Sequence, residues 1–143
     1  MGSPVDPARI AEKARYVREQ VAALAQLTGS TSMDEFAAPG SWVSRGARYA
    51  LLTAVEALTD IAYHLAAKRL DAVPADARDA FQRLRVAGLI EPEAVARMSP
   101  LIGFRHRVMH AYETADDRHV YEMIADESGD LLLVLEALLR AAA

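Results

Sequence analysis

The helical pattern over residues 41–70 constrains the fold of this chain more than any other feature. Val55, Leu58, Ala62 and Leu65 recur at three- and four-residue spacing, and Tyr49, Leu51 and Leu52 widen the apolar stripe. At 1.5 Å per residue such a helix is roughly 45 Å long. It has to act as a spine on which the other segments bury their apolar faces. No strand-like alternation with hairpin turns and no internal repeat competes with that reading.

The remaining segments also read as helix. Asp6 before Pro7 has the form of an N-cap followed by proline at the first helical position. Ile10, Ala14, Val17, Val21 and Leu24 then keep helical spacing until Thr28-Gly29. Residues 29–40 form a connection with one helical turn, where Ser32 and Glu35 have capping-box spacing. Pro74 is expected to begin a third helix, with Ala77, Phe81 and Leu84 inward and Gly88 closing it. Glu91-Pro92 opens another, through Val95, Met98, Leu101 and Ile102, with a kink or a restart expected at Ser99-Pro100. Thr114 and Asp116 are caps for a final pair of helices, 117–125 and 129–141, broken near Ser128-Gly129. The expectation is an all-α bundle forming one domain over residues 1–143.

Composition narrows the chemistry. The chain has no cysteine, so disulfides and thiolate catalysis are excluded. No continuous apolar run approaches the roughly 18 residues of a membrane span, and no charged-then-apolar leader stands at the start. The expected setting is the cytoplasm, with no membrane partner. A net charge of −4 argues against a broadly basic nucleic-acid coat. Between Ala94 and Tyr112, however, stand Arg97, Arg105 and Arg107 and no carboxylate.

Residues 105–112 hold nearly all the recognisable chemistry: Arg105, His106, Arg107, His110 and Tyr112. Imidazole exchanges protons near neutral pH, and the guanidinium fork matches phosphate oxygens. RNA brings its own nucleophile, the 2′-hydroxyl, so its cleavage needs only proton transfer and charge stabilisation. On a straight helix His106 and His110 lie about 40° apart and Arg107 and His110 about 60° apart. Arg105 and His110 are separated by about 140°, and Tyr112 and His110 by about 160°. Convergence of Arg105, His110 and Tyr112 requires the helix to end near His110, or a second copy to supply the missing group across a two-fold interface. Three other readings stay open: structural histidines, a metal held by His106 and His110, and arginines that complement a helix C-terminus. The glutamate usual between paired metal-binding histidines is absent, and no third ligand stands out, so no metal is expected.

Arg105, His110 and Tyr112, spaced Arg-x4-His-x-Tyr, resemble the signature of HepT-like toxins, a branch of the HEPN ribonuclease superfamily. Gly103-Phe104 before the motif, Asp116 and Val120-Tyr121 after it, and the leucine-rich end of the chain agree. So do Glu56-Ala57, Asp60-Ile61 and His64 on the long helix, and Phe36 after the serine-rich connection. The resemblance covers most of the chain. It implies a HEPN-like bundle with the motif near the end of the fourth helix. It also implies a homodimer with the motif in the cleft between protomers, and metal-independent endoribonuclease activity with Arg105 and His110 catalytic and no cofactor. A further implication is a type VII toxin–antitoxin pairing, in which an MntA-like nucleotidyltransferase adenylylates Tyr112. The alternative is a non-catalytic HEPN module that binds nucleic acid or such a partner.

Two features depart from the pattern or leave it open. The position after the motif arginine is commonly asparagine in that family and is His106 here. His106 either replaces asparagine's hydrogen bonds or adds a second proton-transfer group, and Arg107 is a candidate for catalytic support. Glu56, Asp60 and His64 share one helix face. They are either a solvated stripe or support for Arg105 or His110, with Asp60 the favoured supporter. Trp42 and Tyr49 could stack on bases or belong to a core or interface. His119 is expected at the start of a helix, with no chemical role.

Overall fold

The computed structural model describes residues 4–110 and 116–143, except for the His110 side chain. Six helices and no strand occur among the described residues: α1 (Pro7–Ser30), α2 (Met33–Phe36), α3 (Trp42–Leu70), α4 (Ala77–Val86), α5 (Pro92–His110) and α6 (Asp117–Ala142). Helices α1, α3 and α6 each pack against the other two. The hairpin of α4 and α5 covers another side of α3, with α5 also reaching α6.

Local chemistry explains the starts of the helices. Asp6 accepts from the Arg9 amide, with proline in the first turn, and Ile10, Ala14, Val17, Val21 and Leu24 are the buried residues of α1. The helix continues through Gly29 to Ser30, slightly beyond the expected stop. Ser32 and Glu35 form a complete capping box, and Phe36 from that single turn is fully buried, edge-on to Tyr121 of α6. The Tyr121 hydroxyl donates to the Thr31 carbonyl at 2.7 Å, a structural use of that side chain.

Helix α3 is the expected spine. Leu51, Val55, Leu58, Ala62 and Leu65 are completely buried, and each large aliphatic contributes about 1.5–3 kcal/mol by leaving water. Tyr49 does not widen this face, because it is 66% exposed. By length and composition, an 18-residue window of α3 with mean hydropathy 1.2 could cross a membrane. In the bundle 61% of that window is buried, so its apolar character is used in packing.

Three further boundaries differ from expectation. Helix α4 begins at Ala77 rather than Pro74, because Asp76 is the cap and accepts from the Asp79 amide at 2.8 Å. Ala80 rather than Ala77 then joins Phe81 and Leu84 in the core. Helix α5 runs through Pro100 without a restart. Ala96, whose carbonyl loses its helical donor there, is exposed along with Pro100, so water can replace the bond. Helix α6 is continuous across Ser128-Gly129. A mid-helix glycine costs about 1 kcal/mol against alanine. Full burial of Leu131, Val134, Leu135 and Leu138 on the same helix outweighs it several times over.

Candidate functional site

The α4–α5 hairpin places the site. Gly88, at φ +78°, turns the chain after α4, and the Leu89 amide returns to the Leu84 carbonyl at 2.9 Å. The two helices therefore run antiparallel, and the start of α4 lies beside the later half of α5. Arg78 donates through Nη1 to the Ser99 hydroxyl at 2.7 Å, which fixes that register. Ser99 thus serves as an acceptor between helices rather than as a cap.

A cleft of about 410 Å³ opens between these segments, lined by Asp76, Ala77, Arg78, Ile102, Gly103, Arg105, His106 and Arg107. Three guanidinium groups and an imidazole face one carboxylate there. Phe104 is 1% exposed and holds this part of α5 in the core, while its neighbour Arg105 is half-buried and His106 and Arg107 are exposed. Arg105 forms an ion pair between its Nε and Oε1 of Glu56. That contact crosses from α5 to α3 and engages one edge of the guanidinium while the group lines the cleft.

The acidic face of α3 divides into three separate jobs. Glu56 holds Arg105. Asp60, the expected supporter, instead accepts from Lys13 Nζ of α1 at 3.1 Å. The reason is angular: one helical turn rotates a side chain by about 40°, enough to aim Glu56 at α5 and Asp60 at α1. His64 is buried, and its Nε2 accepts from the Asp6 amide at 3.0 Å, tying the start of α1 to the spine. Burial, then the nearby charges of Arg9 and Lys68, hold its pKa below the ordinary histidine value.

The far side of the motif is also fastened to α3. At the start of α6, Asp117 accepts from the Ser44 hydroxyl and pairs with Arg48, whose Nε lies 3.2 Å from its Oδ1. Burial acts to raise the Asp117 pKa, but the Ser44 and Arg48 hydrogen bonds outweigh it and the net shift is downward. Contacts to one helix therefore fix Arg105 before the motif's end and Asp117 after it.

Tyr112 and the His110 side chain lie outside the described residues, as does Thr114, the expected cap. The structure brings Arg105, His106 and Arg107 to one cleft and separates Asp60 from it. Trp42 and Tyr49 are 77% and 66% exposed on the first half of α3 and line no part of it. Arg45 stacks on the Trp42 ring at 4.6 Å. His119 is exposed in the first turns of α6. Sequence reasoning missed Arg78 and the specific role of Glu56. Arg78 gave no local signal, since a charged residue in a first helical turn reads as solvated surface.

A family model described as ribonuclease HepT-like matches residues 17–138. Among solved structures, the chain is similar to the tri-AMPylated Shewanella oneidensis HEPN toxin in complex with MNT antitoxin. The TM-score is 0.79 at 19% identity, covering 92% of this chain and 96% of that one. A mutant of the toxin–antitoxin MntA-HpeT gives 0.78 at 20% identity, covering 92% and 98%. A toxin–antitoxin with AMP-PNP gives 0.79 at 17%, covering 91% and 97%. No curated protein matches. At these identities the structural likeness establishes the fold, an all-helical HEPN bundle.

Proposed function

Because the chain belongs to the ribonuclease HepT-like family, we propose that it is the toxin of a toxin–antitoxin pair and a metal-independent endoribonuclease. The observation that carries this reading is the cationic cleft around Arg105, on a chain whose net charge is −4. Arg105, held by Glu56, stabilises charge on the phosphoryl oxygens of RNA. His110 transfers the proton. The 2′-oxygen bonds to phosphorus as its proton passes to a base, and the bond to the 5′-oxygen breaks as that oxygen gains a proton. The products are a 2′,3′-cyclic phosphate and a 5′-hydroxyl.

Two further parts complete the proposal. Positions 105 and 110 of a straight helix are about 140° apart, which favours a homodimer whose two motifs meet in one cleft. Tyr112 is the site at which an MntA-like nucleotidyltransferase adds adenylate, placing a bulky anion among the cations that RNA requires. A solved relative described as tri-AMPylated and bound to an MNT antitoxin supports that assignment. The cytoplasm is the proposed setting.

The test is cleavage of RNA by the adenylate-free protein in excess chelator, with analysis of the new ends. Cyclic phosphate or 2′-phosphate ends, lost in His110→Ala, are expected. A 3′-hydroxyl end would sink the internal-nucleophile mechanism. Absence of cleavage would return the chain to a non-catalytic binding module.

A further inference from the structure

Arg78 and Arg107 form a second cationic centre that the cleavage step above does not use. They come from different helices and meet over Gly103. The position that a Cβ of residue 103 would occupy lies 3.5 Å from Arg107 Nη1 and 3.7 Å from Arg78 Nη2. The glycine leaves open the space between the two guanidinium groups. Neither arginine forms an ion pair with a carboxylate among the described residues. Two bonds to Ser99, from Nη1 to the hydroxyl at 2.7 Å and from Nη2 to the carbonyl at 3.4 Å, fix the Arg78 guanidinium without neutralising it.

The nearby carboxylates are committed elsewhere. Asp76, the one acid lining the cleft, caps α4 by accepting from the Asp79 amide at 2.8 Å. Asp79 accepts from the Ala75 amide at 2.9 Å and pairs with Arg83 at 2.9 Å. Two like charges aimed at one small space repel each other, and an anion placed between them removes that repulsion. A phosphodiester suits the gap, since each guanidinium fork can take one of its non-bridging oxygens.

We propose that Arg78 and Arg107 are a phosphate subsite that grips a non-scissile phosphodiester of the bound RNA strand. This rests on the ribonuclease reading, because Arg105 in the same cleft is there assigned the scissile phosphate. Arg78 is then a positioning residue: it registers the strand so that the correct 2′-hydroxyl faces the motif. The subsite needs a substrate with at least one phosphate beside the scissile one, so it favours oligonucleotides over dinucleotides.

The experiment measures binding of a fluorescent 2′-O-methyl oligoribonucleotide, which lacks the nucleophile, to the full chain across a salt series. Arg78→Gln and Arg107→Gln should each weaken binding about tenfold at low salt. Each should also make the slope of log affinity against log salt shallower, and the double variant should do so by about 0.7, the value for one phosphate contact on a single strand. The double variant should lose less than the product of the single losses, since one phosphate is shared. Ser99→Ala, which removes the hydroxyl tether of Arg78 but neither its bond to the residue 99 carbonyl nor its charge, should keep the parent slope. Exposed Arg107 has no partner among the described residues, so its variant carries the test even if Arg78→Gln folds poorly.

Parental affinity and slope in Arg107→Gln would overturn the proposal. So would a Ser99→Ala variant that reproduces the full Arg78→Gln loss, since that assigns Arg78 to holding the helices together. Loss of binding in the glutamine variants, with no cleavage of natural RNA by the parent, would retain the subsite and remove only the ribonuclease reading.

Discussion

The two sides of Arg105 treat charge in opposite ways. Toward α1 and α3, three basic groups have acidic partners: Lys13 with Asp60, Arg15 with Glu19, and Arg105 itself with Glu56. Toward α4, Arg78 and Arg107 line the cleft without an ion-pair partner among the described residues, although Asp76 lines it too. Pairing spends a cation on holding the fold. An unpaired cation held by a neutral hydrogen bond, as Arg78 is by Ser99, keeps its full attraction for an incoming anion. On an acidic chain this local asymmetry, rather than net charge, can direct a polyanion to one cleft.

The largest expected effect comes from the residue that joins both sides. Arg105→Ala should reduce single-turnover RNA cleavage by about a thousandfold, the scale for losing a group that stabilises transition-state charge. A loss under about tenfold would remove Arg105 from the chemistry. Glu56→Gln keeps the shape of the pair and removes its charge. We expect kcat to fall about tenfold, as when an orienting partner is lost, with little change in KM. If KM alone moves, Glu56 tunes RNA binding rather than the placement of Arg105.

The paired side supplies the smaller effects. Lys13→Met removes an ion pair whose members are 36% and 42% exposed, so stability should change by less than about 1 kcal/mol and cleavage by less than about twofold. A large cleavage defect in that variant would erase the distinction between the two sides. A comparably small effect is a pH dependence at His64. Its folded pKa is depressed below the ordinary histidine value of 6.5, so the unfolded chain takes up the proton first. The contribution of neutral His64 is complete above that value and is lost as pH falls toward the folded pKa. Losing its bond to the Asp6 amide should lower Tm by about 2–4 °C in that window, and the profile should flatten in His64→Gln. Equal slopes in parent and variant would show that His64 does not carry the effect.

Much of the fold was legible because helices are written in local patterns. The Asp6 cap, the five buried residues of α1, the Ser32–Glu35 box and the extent of α3 depend on side chains within a turn or two of each other. Two of the differences, the unbroken passages of α5 and α6, share a cause. Gly129 and Pro100 are unfavourable locally, but burial along α6 and solvent at α5 compensate, and neither compensation is visible in a window of sequence.

For the site, the sequence by itself determined the residue chemistry: arginine, histidine and tyrosine in one short segment of an all-α chain free of cysteine. Tertiary structure decided which groups meet. Glu56 rather than Asp60 reaches Arg105, and Arg78 from a different helix joins Arg107 over Gly103. Helical periodicity specifies the face on which a side chain lies but not the neighbour across from it. That neighbour is selected by how the helices rotate and register when their apolar faces are buried together.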